Sequence, residues 1–272
     1  MPDRLVLQKL LTASLATAIV ETNDEQVGGY VTDATAAVGL RTPEQLLAAY
    51  GVEAAPKFVD IVRFEQPQLA TLRAPHDAPR PWPTFPNGFL LGDSLARVWS
   101  MDRTRYSYGA EYWRIRSDGE QKRLSRYEGA ARGWANAKQW RAPSAMVGTV
   151  ARWRGGEFLA DVVADSVLLT TITADGPAGF EQIYSRVWSA TVSLAETEVF
   201  ERVVTAKLDG IPVRVVRTSG TTAEVLLLTD DPATAERVKA GTAEPGVYEV
   251  IVDSSRLTDM QGLENQLGQA NR

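Results

Sequence analysis

The spacing of apolar residues changes twice along the chain. Leu7, Leu11, Leu15 and Ile19 recur four apart, joined by Leu10 and Ala18, and this predicts an amphipathic helix over residues 4–20. Gly28-Gly29 reads as a turn. A second helix is predicted at 42–51, where Thr42 caps, Pro43 suits the first position, Gln45 closes a capping box and Gly51 ends the run. FVDIVRF, Phe58 to Phe64, reads as a strand. Together these elements predict a small helical N-terminal unit over residues 1–65. Six prolines between Gln66 and Pro86 then exclude regular structure and predict an extended connector over 66–86, with the domain boundary there.

Beyond the connector the period falls to two. Asp118-Gly119, flanked by alternating residues, predicts a β-hairpin over 111–126, because a type I′ turn needs positive φ at both central positions. A two-residue loop sets Ser117 opposite Glu120, Ile115 opposite Lys122, Trp113 opposite Leu124 and Arg114 opposite Arg123. Trp113, Ile115 and Leu124 then face the core, while Tyr112, Arg114, Arg116, Gln121 and Arg123 share the other side.

From residue 145 the chain repeats a plan. Residues 151–171 and 206–230 each run from Ala through a Gly turn, at Gly155 or Gly210, into a strand, a break and an apolar Val-Leu-Leu strand. GFEQIYSRV from Gly179 and GVYEVIVDS from Gly246 extend the parallel. The expectation is two β units, 145–198 and 199–272, each a bent sheet or SH3-like barrel. The second carries a short helix opened by Asp231-Pro232 and a polar tail from Leu257, read as a frayed helix or tail. The predicted fold class is α+β and β-dominated. A small helical N-terminal unit precedes a basic aromatic hairpin segment, 87–144, and an antiparallel β body.

Composition narrows the chemistry. The 272 residues include no Cys, which excludes disulfides, thiolate metal sites and thiol nucleophiles. The one His, His76, lies in the connector, so a Ser-His-Asp triad or a multi-His metal site would have to be built around a linker residue. Neither a phosphate-cradling GxxxxGK[ST] nor a GxGxxG, HExxH or EF-hand loop occurs. No cofactor and no metal are expected. Glu196, Glu198 and Glu201 read as a solvated strand edge. The apolar run Leu10–Val20 with Ala16-Thr17-Ala18 has the look of a secretory leader, but Asp3 precedes it and Gln8-Lys9 interrupt it, so a cytoplasmic location is expected. No stretch approaches the roughly 20 apolar residues that span a membrane.

Charge gives the strongest asymmetry. The chain carries a net −5, yet residues 97–155 hold thirteen Lys/Arg against five Asp/Glu, with five of the seven Trp and four of the eight Tyr. Arg outnumbers Lys throughout, as in chains from GC-rich genomes, so the clustering is more informative than the residue type. Arg114 facing Arg123 requires a nearby anion. Tyr106, Tyr108, Tyr112, Arg114, Arg116 and Arg123 are therefore the candidate binding residues. Three sources could supply the anion: the chain's own carboxylates, a protein partner with an acidic surface, or a nucleotide or single-stranded nucleic acid. The acidic balance of the whole chain argues against broad nucleic-acid binding.

NGFLLG at 87–92 with DRTRYSYG at 102–109 resembles the opening of NAD-hydrolysing toxins of the tuberculosis necrotizing toxin type, which carry Asn-Gly-Phe and a later Asp-Arg-Tyr-Gly. That resemblance implies an NAD-processing or ADP-ribosyl-transferring enzyme of the polymorphic-toxin type. The residues alone favour a non-enzymatic protein-binding module, of the kind that inhibits or confers immunity to a partner protein.

Overall fold

The computed structural model describes residues 5–49, 52–73, 98–244 and 246–267. It is β-dominated, with two antiparallel sheets and few helices. The first sheet comprises β1 (Val6–Leu11), β2 (Gln26–Asp33), β3 (Phe58–Glu65), β4 (Leu72–Arg73), β5 (Val98–Arg105), β6 (Glu111–Arg116) and β7 (Gln121–Arg126). Their order is β4-β5-β2-β1-β3-β6-β7.

This sheet corrects three sequence expectations. Residues 4–20 do not form one helix: β1 is followed by α1 (Ala13–Thr22), because Thr12 turns the chain and accepts the Leu15 amide at 3.3 Å as N-cap. A four-residue spacing of leucines fits a period of two as well as one of 3.6, so Leu7 and Leu11 alone could not separate strand from helix. The proline-rich segment is not a domain boundary either, since β3 pairs with β6 and β2 with β5 across it. Finally, Gly28-Gly29 is no turn but lies inside β2 at a register shift. Gly51, His76, the prolines from Pro75 on and the stretch 87–92 lie outside the described residues.

Alternation along β3 explains how the sheet is covered. Val62 and Phe64 face a core shared with Leu7, Val31, Tyr106 and Trp134 and roofed by α1, while Val59 and Ile61 face α2 (Pro43–Ala49) through Leu46. Helix α2 carries the expected capping box, with Gln45 Oε1 3.2 Å from the Thr42 amide.

The second sheet contains two successive sets of strands in the same order. Unit 1 runs β8 (Thr149–Trp153), β9 (Gly156–Val163), β10 (Ser166–Ile172), β11 (Glu181–Tyr184) and β12 (Val187–Ser193). Unit 2 runs β13 (Glu198–Leu208), β14 (Ile211–Ser219), β15 (Thr222–Leu227), β16 (Gly241–Glu244) and β17 (Val247–Asp253). Their pairings are the same, 8-9-10-12-11 and 13-14-15-17-16, and the 11/12 and 16/17 pairs carry a register shift at the same step. Each unit ends in a 3-10 turn capped by Ser193 or Asp253, after which the chain returns to pair with the unit's first strand. For unit 1 that closing strand is the start of β13, against β8; for unit 2 it is β18 (Leu257–Gln266), against β13. Each unit is thus a five-stranded set closed by a returning strand, and β13 belongs to both. Helix α3 (Pro232–Arg237) is capped by Asp231 as expected.

The tail from Leu257 is therefore a strand and not a frayed helix. Its side chains are exposed almost throughout, so no apolar alternation marks it in the sequence, and backbone pairing with β13 alone makes it a strand.

Candidate functional site

The predicted binding face does not assemble. The hairpin loop holds three residues, Ser117-Asp118-Gly119: the Arg116 amide donates to the Glu120 carbonyl at 2.9 Å, and Gly119 takes φ +85°. The added residue and a shift after Tyr112 place Trp113 opposite Arg123 and Arg114 opposite Lys122. Arg114 and Arg123 therefore lie on opposite faces, which corrects the expected register. A two-residue type I′ turn and a three-residue loop share the Asp-Gly signature, and only the hydrogen bonds distinguish them.

Each candidate residue has its own surroundings. Tyr106 is buried in the core, edge-on to Phe64 and Trp134 at 5.4 and 5.0 Å, and burial drives its phenol pKa far up. The Tyr112 hydroxyl donates to Asp60 Oδ2 at 2.9 Å, and Arg114 grips the same carboxylate with Nε at 2.8 Å and Nη2 at 2.9 Å. Arg114 also lies 3.9 Å over the Phe58 ring. Burial, then the Asp60 charge, push the Tyr112 pKa up, while the hydrogen bond to Asp60 raises that of Arg114. Arg123 pairs with Glu111 at 2.5 Å and Arg116 with Glu120 at 3.5 Å, both at the surface. Tyr108, partly exposed, has the Arg126 guanidinium 5.8 Å from its ring centre.

A buried belt of charges joins the first sheet to the two units, and sequence reasoning missed it. Arg103 and Arg105, two apart on β5, both reach toward the units, whereas Met101, beyond the register shift, packs in the first sheet's core. Arg103 reaches unit 2 at Glu249, and Arg105 reaches unit 1, donating to the Thr149 and Ala160 carbonyls at 2.6 and 2.9 Å beside Asp161. Lys9 meets both Glu244 oxygens at 2.8 and 2.9 Å, and desolvation lowers its pKa. Glu25 accepts from Arg217 at 2.8 Å and from the Ser144 amide at 2.8 Å. Arg141 binds Asp24 at 2.5 Å. Burial first, and the Glu25 charge second, push the Asp24 carboxyl up to about 6. Gly29 permits the closest approach: a Cβ there would lie 1.6 Å from Glu244 Oε1, at φ +74°. Glu201, expected on a solvated edge, is buried, paired with Arg214 at 3.2 Å and accepting from the Gly148 amide at 3.3 Å.

Two clefts flank this belt, and they are copies of one another on the repeat side. Aligning the pairings makes Ser189 the counterpart of Glu249, Ala190 of Val250, Thr191 of Ile251, Leu168 of Glu224, Glu181 of Gly241 and Ile183 of Ala243. All of these positions line clefts. The unit 2 set, together with one side of α1, Asp24, Arg103 and Arg141, encloses about 380 Å³. The unit 1 set, with Tyr108, Glu128, Ala131, Arg132, Thr170 and Asp161, encloses about 610 Å³. On the unit 2 copy the first sheet places Arg103 on the face, and Thr12 Oγ1 donates to the Ala243 carbonyl at 3.2 Å. The unit 1 copy is the more voluminous one. On its floor the buried Asp161 accepts from the Ala130 amide at 2.7 Å and has its pKa raised by burial, and the buried Thr170 hydroxyl has no partner among the described residues.

A third groove of about 430 Å³ runs between α1 and the Asp60-Tyr112-Arg114 cluster. The three polar groups of that cluster already satisfy one another. Among the described residues no group of three His, Asp or Glu side chains is placed to hold a metal ion, and no helix is long and apolar enough to cross a membrane. No family model, curated protein or solved structure matches the chain.

Proposed function

We propose that the chain is a protein-binding module which presents the unit 1 cleft to a partner, as an inhibitor or immunity-type protein does, and does not turn over a substrate. One observation carries this reading: the same face occurs twice, receives Arg103 from the first sheet on unit 2, where about 380 Å³ remains, and encloses the larger space of about 610 Å³ on unit 1. A face that accepts protein side chains in one copy is built to accept them in the other. The residues of the toxin-like stretch that are described serve the structure instead. Tyr106 is core, Arg103 is held by Glu249, and Asp102 is paired with Arg73 at 2.5 Å. The expectation of an acidic partner rested on Arg114 and Arg123, whose charges are met by Asp60 and Glu111.

The test is to pan a random peptide display library against the full chain and against Ala190→Arg and Thr191→Arg variants, which obstruct the unit 1 cleft. Clones that bind the parent and lose at least tenfold in affinity for the variants support the reading. An empty selection, or release of nicotinamide when the protein is incubated with NAD, overturns it.

A further inference from the structure

The unit 1 cleft also has a chemistry that selects its occupant. Glu128 enters from the loop after β7, and Glu181 from the edge strand β11. Both are exposed, and neither carboxylate has an ion-pair or hydrogen-bond partner among the described residues. Arg132 is the one cation on the wall, and the Asp161 charge below is already matched by Arg105. The unpaired carboxylates therefore outnumber the unpaired guanidinium. Thr170 adds an independent sign of a missing group: its side chain is 1% exposed, it lines the cleft, and its hydroxyl has no partner.

On the other copy of the face the incoming side chain is a cation, Arg103, seated on Glu249. The counterpart of Glu249 here is Ser189, and the unit 1 cleft draws its carboxylates from Glu128 and Glu181 instead. Among the described residues strand β11 is also the last in its sheet and pairs only with β12, on the side away from its outer edge next to Glu181.

Resting on the binding reading above, we infer that the unit 1 cleft seats an arginine or lysine side chain of an extended peptide segment, held between Glu128 and Glu181. The Thr170 hydroxyl accepts a hydrogen bond from the bound segment. An arginine fork suits these two carboxylates best, because each can take a pair of its donors.

The experiment uses three heptapeptides that differ only in a central Arg, Gln or Glu within an Ala/Ser frame, titrated into the isotopically labelled full chain and followed by amide chemical shifts. The Arg peptide is expected to shift amides of β10 to β12 and residues 128–132. It should bind at least tenfold more tightly than the Gln peptide, with affinity falling as salt rises. Glu128→Gln/Glu181→Gln, at two exposed positions, should remove that preference while the protein stays folded, and Thr191→Arg should remove binding altogether. Equal or tighter binding of the Glu peptide in the same cleft, or an Arg peptide indifferent to the double substitution, overturns the inference. Recovery of acidic clones from the panned library overturns it too while leaving the binding reading intact, whereas a cleft that takes no peptide of any charge overturns both.

Discussion

Removing Lys9 while keeping Glu244 tests the belt where it is driest. The pair keeps 3% and 6% of its side-chain surface, and Lys9 Nζ also donates to the Tyr30 carbonyl at 3.3 Å. Lys9→Met fills a similar volume but leaves a carboxylate pressed against the Gly29 backbone, with Arg103 as its nearest remaining cation. Breaking one partner of a buried pair costs about 3–5 kcal/mol, whereas replacing both by apolar groups is often neutral or stabilising. Lys9→Met should therefore lose about 3–5 kcal/mol at pH 7.5, on the order of 6–20 °C in melting temperature for a chain of this size. Lys9→Met/Glu244→Leu should recover most of it. The single variant also has a pH signature. An orphaned Glu244 holds its proton more tightly in the folded than in the unfolded state, so the variant should regain stability as pH falls from 7.5 toward 5. Urea unfolding followed by tryptophan fluorescence measures all three. A single variant within about 1 kcal/mol of the parent, with no pH dependence, would refute the account of a buried pair fastening unit 2 to the first sheet.

Five other single substitutions probe separate parts of the structure. Arg114→Gln should lower stability by about 1–3 kcal/mol because it strands the buried Asp60, while Arg123→Gln, at a surface pair, should change it by less than about 1; equal effects in chemical denaturation would contradict the placement of the two arginines on opposite faces. Gly29→Ala should cost at least about 2 kcal/mol, and adding Glu244→Ala should restore only part of this, since the clash is removed but the positive φ remains; thermal unfolding reads both. Asp24 sits at about 6, above its ordinary 3.8, so the stability it contributes is complete below about pH 4 and is lost as pH rises through 6. Asp24→Asn should consequently match or exceed the parent at pH 7.5, by at most about 3 kcal/mol, and the difference should close by pH 4. Thr170→Val should raise the free protein's stability by up to about 1 kcal/mol, and a clear loss would show that the hydroxyl already has a partner.

The repeat was legible because its signals are local. Gly155 and Gly210 sit at equivalent hairpin turns with φ +79° and +83°, and the apolar runs of β10 and β15 are internal strands buried on one face. Helices α2 and α3 were legible for the same reason, since caps and Pro at the first position act within a few residues. Legibility failed wherever distant chain decided the outcome. Gly28-Gly29 has a turn's composition, yet the glycines serve an approach by Arg103 and Glu244 from 75 or more residues away. Residues 257–266 have no strand pattern, yet β13 recruits them along its whole length. The candidate site was legible in one residue, Tyr108, which lines the unit 1 cleft; Arg132 and Glu128 lie in the same basic segment but had no pattern to single them out.

The basic, aromatic segment marks something other than a ligand. Six of its thirteen Lys/Arg find their anions outside the segment: Arg103 on Glu249, Arg105 beside Asp161, Arg114 on Asp60, Lys138 on Glu21, Arg141 on Asp24 and Arg152 on Glu198 and Glu264. A local excess of positive charge in an acidic chain is thus a tertiary pairing pattern here, with the middle of the sequence placed where it can reach both repeats and the N-terminal strands. The aromatic residues follow the same logic, since Tyr106, Tyr127 and Trp134 pack together in the core beneath those pairs. Once those cations are committed internally, the charges left over at the unit 1 cleft are the carboxylates of Glu128 and Glu181 against the single guanidinium of Arg132. The composition that suggests an anionic partner therefore leads, after folding, to a site whose free charge favours a cationic one.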